Sequence, residues 1–177
     1  SFGAGYPTTP GAFQSIWADG VANSNIEGTD VVISKFSEDG TSLLYSTFLG
    51  GSKNEIPHSM ITNSNNELFV FGSTCSSDFP VSSNAFQTNY LDSLKADAFI
   101  THISFDGNTI INSSYFGSDR YDQSYFVELN SEEEVYILGQ TKALGNTLVQ
   151  NAAYSTYEAS QFIAVLSNNL GSLLRST

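Results

Sequence analysis

The chain has 177 residues, and its 18 acidic against 6 basic side chains give a formal net charge of −12. Only 14% of residues are charged, against roughly 25% in an average domain, while 13 Phe and 9 Tyr make the chain strongly aromatic. This composition excludes a disordered tail, which lacks aromatics, and a nucleic-acid binder, which needs a basic footprint; no apolar run reaches the ~18 residues of a membrane span.

Ser1–Gly5 is small and uncharged and does not read as a cleavable signal. Tyr6–Gln14, YPTTPGAFQ, reads as loop. Val31–Phe36 and Ser42–Leu49 are rich in β-branched and aromatic residues and predict two strands. Asp39-Gly40 joins them, because glycine supplies a positive φ without steric cost. Gly50 closes the second strand, and Ser59–Thr62 and Leu68–Phe71 predict two more, closed by Gly72. A loop follows that carries FPVSSNAFQ (79–87). The order then returns. Ala98–Ser104 alternates Phe99, Thr101 and Ile103 against Ile100, His102 and Ser104, the period of two that marks a strand. Asp106-Gly107 turns it into Thr109–Phe116, which ends at Gly117. Ser124–Leu129 and Val135–Leu138 follow, the latter closed by Gly139, and 161–166 opens a third round. No stretch combines helical periodicity with caps.

The recurrence is ordered. Asp30, Ile33, Ser37, Asp39, Gly40, Ser46 and Gly50 return 67 residues later as Asp97, Ile100, Ser104, Asp106, Gly107, Ser113 and Gly117. Phe99, Ile100, Ser104 and Ser113 return after a further 63 as Phe162, Ile163, Ser167 and Ser176. The loop block recurs at 6–14, 79–87 and 147–155. Four antiparallel strands per unit predict an all-β fold, a segment of β-propeller blades, with a flat sandwich as the second choice. Residues 1–29 then form the end of a preceding blade with its connecting loop. Residues 30–96 and 97–160 form complete blades, and 161–177 the first strands of another. A closed propeller needs about four to eight blades, so the expected object is a fragment of a larger one.

Candidate chemistry is sparse. Cys75 is the only cysteine, which excludes an internal disulfide or a Cys-based metal cage. His58 and His102 stand alone, without a His-x-x-x-His pair, so no catalytic residue, metal or cofactor is expected. Glu132-Glu133-Glu134 reads as a solvated turn, and the sequon at Asn112 lies mid-strand. Glu55 and Asp122 follow the Gly50 and Gly117 corners at equal distance. A carboxylate at such a corner can accept backbone N–H bonds and brace it, with weak cation binding as the alternative. Phe13, Phe86 and Tyr154 recur in the loop block and read as plugs between adjacent blades, or, if exposed, as sugar platforms.

Three stretches carry a family likeness. Gly-Gly-Ser after YSTFL, the run Gly72-Ser73-Thr74-Cys75-Ser76-Ser77-Asp78-Phe79-Pro80, and Ala85-Phe86-Gln87 resemble the SBBP beta-propeller repeat. That repeat is found in large secreted and cell-surface proteins of Bacteroidota. The third copy departs from it, with Leu170 in place of the turn glycine and Thr147-Leu148 in place of Phe-Pro. The resemblance implies a non-enzymatic segment of an exported surface protein, serving adhesion or protein and glycan interaction. It also implies type IX secretion across the outer membrane and an acidic residue at Glu55 and Asp122. Asp92-Ser93-Leu94 resembles the O-glycosylation motif of such proteins, with Ser93 as acceptor. Expected partners are the remaining blades of the same protein, the export machinery, and surface proteins or glycans, with neither nucleic acid nor a direct membrane span. The acidic, lysine-poor surface suits an extracellular setting. The alternatives are a carbohydrate-active propeller enzyme whose acids lie elsewhere, and a structural subunit of a cell-envelope assembly. Under the fragment reading a blade buries its faces against two neighbours, so Val31–Phe36 and Phe162–Leu166 each need material from outside these residues, and Ser1–Gln14 packs as the closing loop of an absent blade.

Overall fold

A computed structural model describes residues 3, 5–18, 28–91, 95–157 and 159–177. The fold is all-β, with ten strands and no helix among the described residues. The strands are β1 (Val31–Phe36), β2 (Leu43–Leu49), β3 (Glu55–Thr62), β4 (Leu68–Thr74), β5 (Asp97–Ile103), β6 (Ile110–Phe116), β7 (Asp122–Leu129), β8 (Val135–Thr141), β9 (Gln161–Leu166) and β10 (Leu173–Ser176). All pair antiparallel, in three sheets ordered β1-β2, β3-β4-β5-β6 and β7-β8-β9-β10.

Nine strands fall close to their expected places, but β3 starts earlier and β4 and β8 run longer. Gly72 and Gly139 do not end their strands. Both sit inside them, opposite Phe99 and Phe162. The pairing partners β3 and β7 each carry a bulge, between Pro57 and Ser59 and between Ser124 and Phe126. A Cβ on Gly72 would lie 2.1 Å from the Ile56 carbonyl oxygen, and one on Gly139 would lie 2.4 Å from that of Gln123. The glycines mark a close backbone approach within a sheet.

The expected complete blades at 30–96 and 97–160 are not single sheets. The two four-stranded sheets run from Glu55 to Phe116 and from Asp122 to Ser176, half a repeat away from those boundaries. Periodicity fixes the length of a unit but not its phase. Residues 50–54 cross from β2 to the next sheet, whereas the longer 75–96 loop returns from β4 to β5 of the same sheet. Phe162–Leu166 is paired on both edges, by β8 and β10, while Ile163 on its outer face stays 50% exposed.

The sheets stack face to face around two cores. Val31, Ile33, Tyr45 and Leu49 of the first sheet pack with Val70, Phe99, Ile103 and Tyr115 of the second. The opposite face of the second sheet, with Phe69, Phe71, Ile100 and Phe116, packs with Val135, Ile137, Phe162 and Leu166 of the third. The first strands of the two complete sheets, β3 and β7, touch one another.

Each loop block lies along the outer strand of a sheet. Thr9 N–H donates to the Ser46 carbonyl at 3.1 Å, and Phe48 N–H to that of Gln14 at 3.0 Å. Ser82 and Gln87 bond Ser113 and Tyr115 of β6 in the same way, and Gln150 pairs with Ser176 of β10. The expected closing role of Tyr6–Gln14 therefore holds, but along the present β2 and not on an absent blade. These contacts occupy edges that would otherwise offer free backbone groups. The ring buried in this loop is Phe79, against Phe99 at 4.6 Å, with Tyr6 edge-on to Phe48 at 6.3 Å in the first copy. Phe86 reaches Phe116 at 6.1 Å but stays 37% exposed, Phe13 is 40% exposed and Tyr154 78%. The plug belongs to the start of the block, because only there does the chain turn into the space between sheets.

Candidate functional site

The recurring glycine corners bring acids together. Gly50 carries no side chain because a Cβ would lie 2.6 Å from both the Asp30 and the Glu55 carboxyl groups. Glu55 accepts the Gly51 N–H at 3.1 Å and the Thr74 and Ser76 hydroxyls at 2.6 Å each. At the next corner, Asp122 accepts the Ser118 N–H at 2.5 Å and its hydroxyl at 2.8 Å. Burial pushes the Glu55 carboxyl up to about 7, partly countered by the bonds from Ser76, Thr74 and Gly51. Burial raises Asp30 as well. Glu55, Asp30 and Asp122 are each at most 2% exposed, and their carboxyl groups brace the corners.

Sequence reasoning missed the residue that ties each corner to its loop. The Gln14 side chain donates to Asp30 at 2.9 Å and accepts the Gly50 N–H at 3.1 Å. Gln87 repeats this, donating to Asp97 at 3.3 Å and accepting the Gly117 N–H at 2.9 Å. The third copy carries Ser155 and Ser160 at these two positions, so both partners are replaced together. That joint replacement was the available signal.

The histidines lie apart. On β3, His58 Nε2 is 2.7 Å from the Gln123 side-chain nitrogen, and its ring is tilted against Tyr125. On β5, His102 stacks on Phe69 at 4.0 Å, with Nε2 3.0 Å from Glu67. Burial holds both imidazoles below their usual pKa, with Glu67 opposing the effect at His102. Among the described residues no three His, Cys, Asp or Glu side chains converge as metal ligands would. Glu132-Glu133-Glu134 lies at the exposed turn between β7 and β8, where Glu133 accepts the Ser64 N–H and hydroxyl of the neighbouring sheet and Glu134 is held by Asn130 and Arg175. Cys75 is half-buried, and Ser93 lies outside the described residues.

A groove of about 980 Å³ opens between β1 and β3, lined by Val31, Ile33, Phe36, Pro57, Met60 and Leu68 among others. Among the described residues, β1 has a strand partner on one edge only, β2. At the far end of the stack, Phe126, Leu138 and Ile163 form a cross-strand row that is 65%, 39% and 50% exposed. In the second sheet the matching Phe71 and Ile100 are fully covered by the third. No family model matches the chain, and neither does any curated protein.

Proposed function

We propose that the chain is a segment of an SBBP-type β-propeller in an exported cell-surface protein, a non-enzymatic scaffold for adhesion to protein or glycan surfaces. The order of the sheets carries this reading. The outer strand of one sheet leads into the first strand of the next, those first strands, β3 and β7, lie together, and a repeated loop binds each outer edge. First strands gathered at a common axis are the arrangement of propeller blades. The burial of the corner acids favours a scaffold over a glycosidase, whose two carboxylates must flank an accessible sugar. The low count of lysine and arginine suits an extracellular surface, and the resemblance to the SBBP repeat implies export through the type IX route.

Electron cryo-microscopy of the intact source polypeptide tests the architecture. A ring of four-stranded sheets with β3 and β7 nearest the axis is expected, and a closed two-sheet sandwich refutes it. Protease shaving of intact source cells tests the location: peptides of this chain should be released while the cells remain unbroken.

A further inference from the structure

We infer, building on the propeller reading, that the edge of β1 left without a strand partner among the described residues seats a β-hairpin of this same repeat, carried by the polypeptide immediately upstream of Ser1. The hairpin completes the first sheet to four strands.

Three observations fix the occupant. First, β1 and β2 correspond to β5 and β6, and in the complete second sheet β5 is flanked on its other edge by the hairpin β3-β4. The β1 edge offers the same backbone groups to a guest, and an added strand satisfies them as it does in β-augmentation generally. Second, the loop that follows such a hairpin is already in place. Tyr6–Gln14 lies along β2 as the 79–87 block lies along β6, and that block is the continuation of β4. Thr74 ends β4 five residues before Phe79, so a strand feeding Tyr6 by the same path lies at the same short distance ahead of it. Third, the groove beside β1 is apolar, as the inner side of a guest hairpin requires. Met60 and Phe36 stand 71% and 57% exposed at its rim.

The register follows from β4 on β5 and β8 on β9. Gly72 faces Phe99, Gly139 faces Phe162, and Thr74 faces Asp97. The guest therefore sets its glycine opposite Val32 and its last strand residue opposite Asp30. Val32 is smaller than phenylalanine, but the guest still needs the glycine, because the bulge in its own hairpin brings a carbonyl onto that position. A second copy of residues 1–177 is a poor occupant. Its two inner hairpins, β3-β4 and β7-β8, are already paired within their own sheets.

The test joins a copy of Glu55–Ser73 directly ahead of Ser1, which keeps the spacing of β4 from Phe79, and follows backbone hydrogen exchange. Amides of Val31–Phe36 and of the added hairpin should slow by about tenfold or more relative to residues 1–177. The same fusion carrying Gly72→Val in the added copy should lose that protection. Unchanged exchange at Val31–Phe36 refutes the inference, as does protection that survives the valine. Protection of β1 in residues 1–177 alone that grows with protein concentration also refutes it, in favour of a second copy. Should the fusion fail to fold, the free Glu55–Thr74 peptide titrated onto residues 1–177 gives the same readout. Cryo-microscopy separates the two ideas: a ring in which β1 pairs with something other than an upstream hairpin defeats this inference and leaves the propeller reading intact.

Discussion

Burial holds the Glu55 carboxyl at about 7 against 4.5 for a free glutamate, so the folded chain keeps a proton that the unfolded chain has released. The stability this group contributes is complete below 4.5 and lost as pH rises through about 7. His58 and His102, held below 6.5, act in the opposite sense and cost stability as pH falls through that value. Glu55→Gln removes only the first effect. Its stability relative to the parent should therefore increase between about pH 5 and about pH 7.5, measured by urea unfolding at each; an equal difference at both refutes the assignment. The turn residues make a second comparison. Gly40, Gly107 and Leu170 occupy one repeat position at φ of 70°, 72° and 55°. A Cβ at Gly40 meets nothing within 4 Å, whereas one at Gly107 would lie 2.3 Å from the Tyr45 ring. Gly40→Ala should cost about 1 kcal/mol for the left-handed backbone alone, and Gly107→Ala clearly more. Leu170 is tolerated because the residue matching Tyr45 in the next sheet is the smaller Asn112. Its amide, turned to satisfy both polar ends, donates to the Asn169 carbonyl at 3.1 Å, and Leu170 fills the core completely. Leu170→Gly should lose stability, since relief of about 1 kcal/mol of backbone strain is smaller than the roughly 2–5 kcal/mol lost with a buried leucine.

At the scale of the element, the corner is a joint between a loop and two strands. Gln87→Ala breaks the link from Gly117 to Asp97 and should cost about 1–2 kcal/mol, with faster amide exchange at the 79–87 loop than elsewhere. Exchange that rises evenly over the chain would show that Gln87 is not specific to the loop. The turns were legible in the sequence because their chemistry is local: Asp39 and Asp106 bond residues two positions on either side, and Asn169 does the same. Glu55 and Asp122 were legible as recurring positions. The early start of β3 was not, because Pro57 reads as a breaker and is accommodated at a bulge. Gln14 and Asp30 lie 16 residues apart, and nothing local shows that they meet. The frame of the sheets escaped for a different reason, since a repeat can be cut anywhere without changing its period. The groove was legible only as an edge in need of a partner.

For the molecule as a whole, the two ends of the stack differ: one presents the edge of β1, the other the row Phe126, Leu138 and Ile163. Residues 1–177 alone should self-associate in sedimentation experiments, and more so with added salt, which screens the repulsion between molecules of charge −12. Phe126→Ser should weaken association without lowering the unfolding midpoint; an unchanged sedimentation profile would remove this face from the account. The half-repeat offset of the sheets also bears on how the chain emerges from the ribosome. The hairpin β3-β4 is complete at Thr74, but the sheet it belongs to closes only when Phe116 has been made, 42 residues later. During that interval an inner hairpin waits with an unpaired edge, and the same wait begins again with β7-β8. Synthesis thus leaves one open hairpin at every repeat, and its natural protection is the outer pair that the next repeat delivers.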